Sequence, residues 1–481
     1  MKQLDVLFIE PNSAKEAYQE LSHNFSAIET PTWCLLLAQS VRSQGYEPAI
    51  LDCVAEKLTI EQSVLRIREA NPRLVVFVMY GQNPNSGTTN MIGANKLAAK
   101  LKESYPEYPI CFVGTHVTNQ LSKVKGIGYK EDFGSWSDDI PKLIINPPER
   151  IVPQERINVD LPGYAWDLLP YDKTPFDLYR SHFWHGGFVD ENRTPFAAIY
   201  TSLGCPFSCQ FCVINILNKE SNQDNITAAD SPGIRYWSTQ FILKEFEKLA
   251  SFGVKTVRIS DEMFFLNKNH FEPLLNGIIE IKADFNMWAY ARINTVQEKY
   301  LDLFKKSGVN WLALGIEAAN QNVRLGVSKG NFKDLKIRDV VKSIRKHDLN
   351  IIANYIFGFP DDSKETCQQT LDLALELNTE MVNMYNCQAL PGSAIYLDAK
   401  RKGILPKTLQ GYAFLSYESE PLPTNSMTSA EVLKFRDDAW YKYFSNLNYL
   451  NLVTSKFGDK ARKNVETLSM IKLKRKLLGD L

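Results

Sequence analysis

The sequence predicts an α/β protein with an N-terminal Rossmann-like domain, a partial (βα)6 barrel and a mostly helical C-terminal segment. Three observations lead to this fold class. The N-terminal third alternates apolar strands with amphipathic helices, as parallel doubly wound sheets do. Six further strand–helix units begin near residue 195, a pattern that favours a parallel barrel, and after about residue 410 the pattern becomes helical. The predicted parts are residues 1–145, a linker over 146–190, the barrel over 191–410 and the C-terminal segment over 411–481.

The N-terminal domain contains four predicted strands, LDVLFIE, EPAILDC, RLVVFVMYG and PICFVGTHV. The third is continuously apolar, which is typical of a strand buried on both faces. The helix in TPTWCLLLAQSVRSQGY is expected to stop near Gly45. Doubly wound sheets bind ligands beyond the carboxyl ends of their strands. Those ends carry Asn12, Tyr80, Gly81, Gln82, Gly114 and His116. The domain has no G-x-G-x-x-G, so it lacks the phosphate cradle of a nicotinamide site.

A proline-rich stretch, INPPERIVPQERINVDLPGYAWDLLP, predicts the linker. The barrel strands are predicted in FAAIYTS, TVRIS, MWAYA, WLALGIE, IIANYIFG and MVNMYNC. Chemistry in such a barrel lies at the carboxyl ends of its strands. The last of them carries Tyr385, whose side chain faces substrate or packs beneath it. The basic end KLKRKLL is predicted as a solvated helix face or a contact with a membrane or partner.

Composition excludes several classes of protein. Lys+Arg and Asp+Glu are both 55 in 481 residues, so no overall charge favours nucleic acid. No run approaches the roughly 18 apolar residues of a membrane span, and the start reads as a strand rather than a signal peptide. A cytoplasmic location with reduced cysteines is therefore expected. Five of the eight cysteines are scattered along the chain and are interpreted as small buried hydrophobes.

The other three cysteines stand together in TSLGCPFSCQFC, directly after the first predicted barrel strand. Cys205, Cys209 and Cys212 have the spacing C-x3-C-x2-C. Three thiolates can hold three irons of a [4Fe-4S] cube and leave the fourth iron open to a small molecule, as a catalytic zinc keeps an open position. Two alternatives remain open from spacing alone: a zinc site completed by a histidine, and thiols without a metal.

With the aromatic Phe211 before its last cysteine, this loop resembles the signature of radical S-adenosylmethionine (AdoMet, SAM) enzymes. The resemblance implies that AdoMet is the fourth ligand of the cluster. It also implies that an electron from the cluster cleaves AdoMet into methionine and a 5'-deoxyadenosyl radical. ISDEMFFLN resembles the segment that meets the AdoMet amino group, usually Gly-Gly-Glu, with Asp261 and Glu262 as the candidates here.

Three later segments resemble other AdoMet-binding parts of the family. WAYARINTV contributes Arg292, LALGIEAAN contributes Glu317 for the ribose hydroxyls, and NYIFGFPDD contributes Gly358 for the adenine. For Arg292 and Glu317 an alternative is an ion pair across the barrel mouth.

The layout over most of residues 1–400 resembles the cobalamin-dependent (B12-binding) branch of this family, in which a Rossmann-like domain precedes the radical SAM barrel. PTWCLLLAQSVRSQGYEPAILDC and the bridging LPGYAWDLLP carry that resemblance. The motif D-x-H-x-x-G, which supplies histidine to cobalt in many B12 proteins, is absent. The lower cobalt face is therefore expected without histidine, and His116 is expected to shape the site. The alternative is a degenerate domain that only shapes the substrate pocket.

The resemblance implies cobalamin-dependent C-methylation of an unactivated carbon in a small molecule, such as a sugar, lipid or secondary metabolite. It implies a low-potential electron donor such as flavodoxin or ferredoxin, and no nucleic acid. The alternatives are a radical cyclase or rearrangement enzyme without methyl transfer, a tRNA-modifying radical SAM enzyme, and a zinc or iron–sulfur scaffold without turnover.

Overall fold

The computed structural model describes residues 4–80, 86–114, 160–213, 234–329 and 334–481, with the side chains of 334 and 335 excepted. The predicted site residues Gly81, Gln82 and His116 lie outside the described residues, as does the first part of the predicted linker.

A four-stranded parallel sheet forms the N-terminal domain, in the order β2-β1-β3-β4. Its strands are β1 (Val6–Glu10), β2 (Pro48–Asp52), β3 (Leu74–Val78) and β4 (Ile110–Val113). Its helices are α1 (Ala14–Tyr18), α2 (Leu21–Asn24), α3 (Thr32–Ser43), α4 (Ile60–Ala70) and α5 (Gly87–Ser104). The prediction is confirmed in detail, since β3 is buried at every position and α3 ends two residues before Gly45.

Six parallel strands form the partial barrel, in the sequential order β12-β11-β10-β9-β8-β5. They are β5 (Phe196–Ile199), β8 (Thr256–Ile259), β9 (Asn286–Arg292), β10 (Val309–Glu317), β11 (Asn350–Phe357) and β12 (Met381–Asn386). The helices of this part are α6 (Thr239–Ser251), α7 (Lys268–Ile281), α8 (Leu301–Lys306), α9 (Gln321–Gly326), α10 (Asp334–Lys346), α11 (Lys364–Leu377) and α12 (Ala394–Lys402). All six predicted strands are present, which confirms the (βα)6 fold class.

A small antiparallel pair was not predicted. β6 (Ser202–Gly204) pairs with β7 (Ile234–Tyr236) immediately after the first barrel strand. The predicted strand FAAIYTS therefore ends at Ile199, and the chain turns there. The Asp261 carboxylate fixes the turn, because it accepts hydrogen bonds from the Thr201 backbone N–H and hydroxyl, both at 2.6 Å.

Residues 160–190 pack into the core, although their composition predicted a linker. Tyr164, Trp166, Phe176 and Tyr179 are all buried. The Trp166 indole N–H donates to Glu245 on α6 at 2.8 Å, and the Tyr179 hydroxyl donates to Asp52 on β2 at 3.0 Å. The segment thus ties the first sheet to the barrel through aromatic side chains whose spacing follows no helical or strand period.

The helices α13 (Ser429–Phe444) and α14 (Leu447–Ser469) follow the barrel, and α14 is kinked at Gly458, where φ is +85°. On α13, Arg436 donates through Nε to the Met384 carbonyl of β12 at 2.6 Å. The basic end after α14 is not a solvated helix face, because Arg475 is 1% exposed and pairs with both carboxylate oxygens of Asp437 at 2.8 and 2.9 Å. No helix in the described ranges is long and apolar enough to cross a membrane.

Candidate active site

A cavity of about 620 Å³ lies between the two domains. The carboxyl ends of strands from both sheets reach it, with Glu10 from β1, Tyr80 beyond β3, Arg292 from β9 and Glu317 from β10 on its wall. This is the location that parallel α/β topology predicts for a ligand.

The three clustered cysteines share one wall of this cavity. Burial raises the pKa of the Cys205 thiol to about 12, and the neighbouring Cys212 and Cys209 add to the rise, so both lie close enough to affect Cys205. Among the residues that the structure describes, no group of three or more His, Cys, Asp or Glu side chains is arranged to hold a metal ion. The assignment of a cluster therefore rests on the cysteine motif and on the shared cavity wall.

Arg292 lies against the cysteine loop. Its Nη1 is 3.6 Å from the Cys209 sulfur, its guanidinium carbon is 3.7 Å from the centre of the Phe207 ring, and Nη2 donates to the Lys329 carbonyl. A guanidinium in this position places positive charge beside a thiolate that a cluster would require.

Glu317 forms its ion pair with Lys329, whose Nζ is 2.6 Å from Oε1, and not with Arg292. Burial alone would lower the pKa of Lys329, but Glu317 and Cys209 raise it above its usual value. Glu317 has a φ of +68° beside a bulge in β10. A Cβ at Gly315 would lie 2.7 Å from the Lys329 Nζ, so glycine makes room for the pair. Sequence reasoning missed Lys329, because no motif marks VSKGN.

Glu262 and Asp261 have different places. Glu262 lines the cavity, while the fully buried Asp261 accepts hydrogen bonds from the hydroxyls of Thr201 and Ser202. Glu262 accepts from the Gly204 backbone N–H at 3.2 Å through Oε2, but its buried Oε1 has no partner. That oxygen fits a ligand's amino group.

The two remaining AdoMet candidates are also placed differently. Phe211 lines the cavity, with its ring centre 5.2 Å from that of Phe359. Gly358 does not line it; its N–H donates to Asp362 at 3.0 Å. Its φ is +88°, and a Cβ there would lie 2.4 Å from a Val432 methyl group.

Of the predicted cobalamin contacts that the structure describes, Tyr80 lines the cavity. Its ring stacks on Trp33 with centres 4.2 Å apart, and an aromatic wall of this kind suits a large flat ring. Asn12 and Gly114 do not line the cavity. The Asn12 amide accepts from the Ala14 N–H at 3.0 Å and donates to the Cys53 carbonyl at 3.4 Å.

Glu262 gives the first prediction, which concerns pH. Burial raises its pKa from 4.5 to about 8. Between pH 4.5 and 8 the carboxyl of Glu262 then stays protonated in the folded protein but is ionised in the unfolded chain. The free energy of unfolding therefore falls as pH rises through that window. Urea titrations of the cofactor-free proteins at pH 5 and pH 9 measure this effect. From pH 5 to 9, the free energy of unfolding should fall less for Glu262→Gln than for the parent. Glu247→Gln, at an exposed position, should keep the parent slope. Equal slopes for parent and Glu262→Gln would contradict the prediction.

Comparison with known proteins agrees with this geometry. The profile of the radical SAM superfamily matches residues 199–374. An uncharacterised methyltransferase of Pyrococcus horikoshii is 24% identical over 406 residues, covering 76% of this chain and 77% of that protein. The hopanoid C-3 methylase of Methylococcus capsulatus is 23% identical over 417 residues, covering 81% and 72%. The bacteriochlorophyllide d C-12(1)-methyltransferase of Chlorobaculum tepidum is 26% identical over 209 residues, 42% of either protein, so this match spans less than half of that relative.

Two solved structures share the fold. TsrM from Kitasatospora setae, a radical S-adenosylmethionine methyltransferase with tryptophan and aza-SAM bound, aligns with a TM-score of 0.60 and 16% identity over 83% of this chain and 76% of that one. OxsB, a cobalamin-dependent S-adenosylmethionine radical enzyme with aqua-cobalamin bound, aligns with a TM-score of 0.59 and 11% identity over 97% and 72%. Residues 199–374 therefore match a radical SAM domain, a domain whose cofactors are a [4Fe-4S] cluster and AdoMet, and the chain shares the two-domain fold of a cobalamin-dependent enzyme of known structure.

Proposed function

We propose that this protein is a cobalamin-dependent radical SAM methyltransferase that methylates an unactivated carbon of a small molecule. One observation carries the proposal: the three-cysteine loop and the carboxyl edge of the N-terminal sheet face the same cavity. An enzyme that needs both cofactors has to bring them to one substrate. Relatives named as methyltransferases and methylases, and a cobalamin-dependent structural neighbour, support it.

Different residues around the cavity would hold the two cofactors. Cys205, Cys209 and Cys212 would hold the cluster, and the wall at Tyr80 would hold cobalamin. When bound, these cofactors supply an electron that cleaves AdoMet to a 5'-deoxyadenosyl radical, and a carrier for its methyl group. The protein binds and orients the reactants and excludes water.

Four side chains would bind AdoMet. The unpartnered Oε1 of Glu262 can accept from the amino group, whose positive charge would favour the ionised form of this carboxyl. Arg292 and Lys329 are cations for the carboxylate. Glu317 can accept from ribose hydroxyls while it keeps its pair with Lys329.

Reduction of the cluster requires a low-potential donor, and a flavodoxin or ferredoxin would serve. A cytoplasmic location would keep the three cysteine thiols reduced and available to iron.

Methyl-labelled AdoMet tests the proposal even before the substrate has been identified. Anaerobic protein that holds the cluster and cobalamin, supplied with a strong reductant, is expected to carry label in its protein-bound cobalamin fraction and to release S-adenosylhomocysteine. Once the substrate is added, label should enter the product, with 5'-deoxyadenosine and S-adenosylhomocysteine in similar amounts. If 5'-deoxyadenosine forms but neither cobalamin nor product takes up label, the protein is a radical cyclase or rearrangement enzyme instead.

A further inference from the structure

The cavity continues from the AdoMet-binding edge into the barrel, and we call this part the inner chamber. It is lined by Glu29, Arg258, Trp288 and Tyr290. Arg258 on β8 and Trp288 on β9 are partners in the sheet register. Trp288 precedes Arg292 by four residues on its strand, so the chamber lies deeper than the cysteine loop.

Among the described residues, the opposite charges of the inner chamber pair with each other. Both carboxylate oxygens of Glu29 accept from Nη1 of Arg258, at 2.7 and 2.6 Å, and Nε2 of His182 is 3.1 Å from Glu29 Oε1. Burial alone would raise the pKa of the Glu29 carboxyl, but Arg258 and His182 hold it below its usual value. Glu29 would repel a carboxylate ligand, and Arg258 would repel an ammonium ligand. The chamber therefore favours neither ion.

Two hydrogen-bond donors on side chains that line the chamber have no acceptor among the described residues. Nε of Arg258 and Nε1 of Trp288 are buried without a partner, and the guanidinium carbon of Arg258 is 4.7 Å from the centre of the Trp288 ring. Tyr290 contributes a third polar group, with its hydroxyl 3.3 Å from Arg258 Nη2. Buried donors without acceptors are costly, so this group fits a ligand oxygen that accepts hydrogen bonds without a charge of its own.

The remaining walls are mostly apolar. Their apolar side chains come from the 182–188 segment, the last barrel strand, the C-terminal helices and the loop before those helices, including Phe183, Trp184, Met384, Phe414, Trp440 and Leu468. Asn354 and Asn383 also line the cavity, but Asn383 donates to Asn354 at 2.9 Å. Arg436 also reaches this wall, but it is paired with Asp437 at 2.8 Å and with the Met384 carbonyl. A pocket with apolar walls and a few convergent polar groups selects by shape and by one oriented contact.

We infer that the substrate is an uncharged, mostly hydrocarbon molecule with a hydroxyl or carbonyl oxygen, which the donors of Arg258 and Trp288 bind. This inference rests on the proposed function, because it assigns the inner chamber to the substrate of the radical reaction. It excludes phosphorylated sugars, free amino acids, nucleotides and carboxylate lipids as substrates.

Three probes with one rigid apolar skeleton test the substrate class: adamantan-1-ol, adamantane-1-carboxylate and protonated adamantan-1-amine. Their affinities would be measured by isothermal titration calorimetry on the anaerobic holoenzyme without reductant. The alcohol is expected to bind at least tenfold more tightly than either ion, with a negative heat-capacity change from apolar burial. If either ion binds as tightly as the alcohol, the inference fails.

Glu29→Gln provides a second test, because it keeps the shape of the side chain and leaves the charge of Arg258 uncompensated. The carboxylate probe should then gain at least tenfold in affinity and overtake the alcohol. Glu191→Gln is the matched control, since Glu191 forms a pair with Lys460 on the surface, and it should leave the order of probes unchanged. An unchanged order in folded Glu29→Gln would overturn the assignment of Arg258.

Trp288→Phe keeps the aromatic ring and removes one donor, so it remains informative if Glu29→Gln does not fold. The alcohol should lose several-fold in affinity, while binding of the unsubstituted hydrocarbon adamantane should not change. An equal loss for both would refute the role of the indole N–H. These binding measurements need no turnover, so they test the substrate class separately from methyl transfer. The labelling experiment tests methyl transfer.

Discussion

Replacement of Cys209 by alanine is expected to remove iron from the protein and abolish 5'-deoxyadenosine formation. A cube held by three thiolates retains only two protein ligands after the change, and AdoMet cannot supply the missing one. Cys205→Ala and Cys212→Ala should have the same effect. Iron content, the visible absorption of anaerobically reconstituted protein, and chromatography of the nucleoside products measure it. The parent should contain about four irons per chain, as one cube requires.

Cys34→Ala and Cys367→Ala are the matched controls, because both thiols are fully buried in the core and neither lines the cavity. Both variants should keep their iron and their AdoMet cleavage. Stoichiometric zinc without iron in the parent protein would contradict the radical SAM assignment of this loop.

Lys329→Met is expected to destabilise the protein by about 3–5 kcal/mol, because it leaves the buried Glu317 carboxylate without its partner. Glu317 is 6% exposed and Lys329 is 7% exposed, so little water can reach the unpaired carboxylate. Anaerobic urea unfolding measures the loss, and AdoMet affinity should fall with it.

The double variant Glu317→Gln, Lys329→Met should recover most of that stability, since no buried charge remains unpaired. It should not recover AdoMet binding if the Glu317 carboxylate accepts from the ribose. Lys460→Met removes half of a surface pair and should cost no more than about 1 kcal/mol. If the Lys329 and Lys460 variants lose the same small amount of unfolding free energy, the buried pair of Glu317 and Lys329 does not stabilise the fold as proposed.

Hydrophobic periodicity predicted the fold because burial in the core requires apolar side chains at regular positions along each strand and helix. The continuous apolar run of β3 and the apolar face of α3 each follow from which side chains must leave water. The three residues of β6 are too few for such a signal. Residues 160–190 are held by aromatic rings and by single bonds such as that of Tyr179 to Asp52, which a local pattern does not reveal.

The site was predicted where a motif marks it. The cysteine loop and the positions of Glu262, Arg292 and Glu317 at strand ends are readable from the sequence, and all of them line one cavity. Lys329 comes from a loop without a motif. Asp261, adjacent to Glu262 in sequence, lies outside the cavity wall because Thr201 and Ser202, which are 60 and 59 residues away in the chain, donate hydrogen bonds to its carboxylate.

The pairing of Glu29 with Arg258 also has a consequence for synthesis of the chain. The partners are 229 residues apart, so Glu29 leaves the ribosome long before the strand that carries Arg258 exists. Until Arg258 has been synthesised, the carboxylate of Glu29 must stay hydrated. The loop that carries Glu29 therefore cannot reach its final conformation in a nascent N-terminal domain. The inner chamber can therefore close only after β8 has been made, which delays its formation during translation without preventing the first sheet from folding.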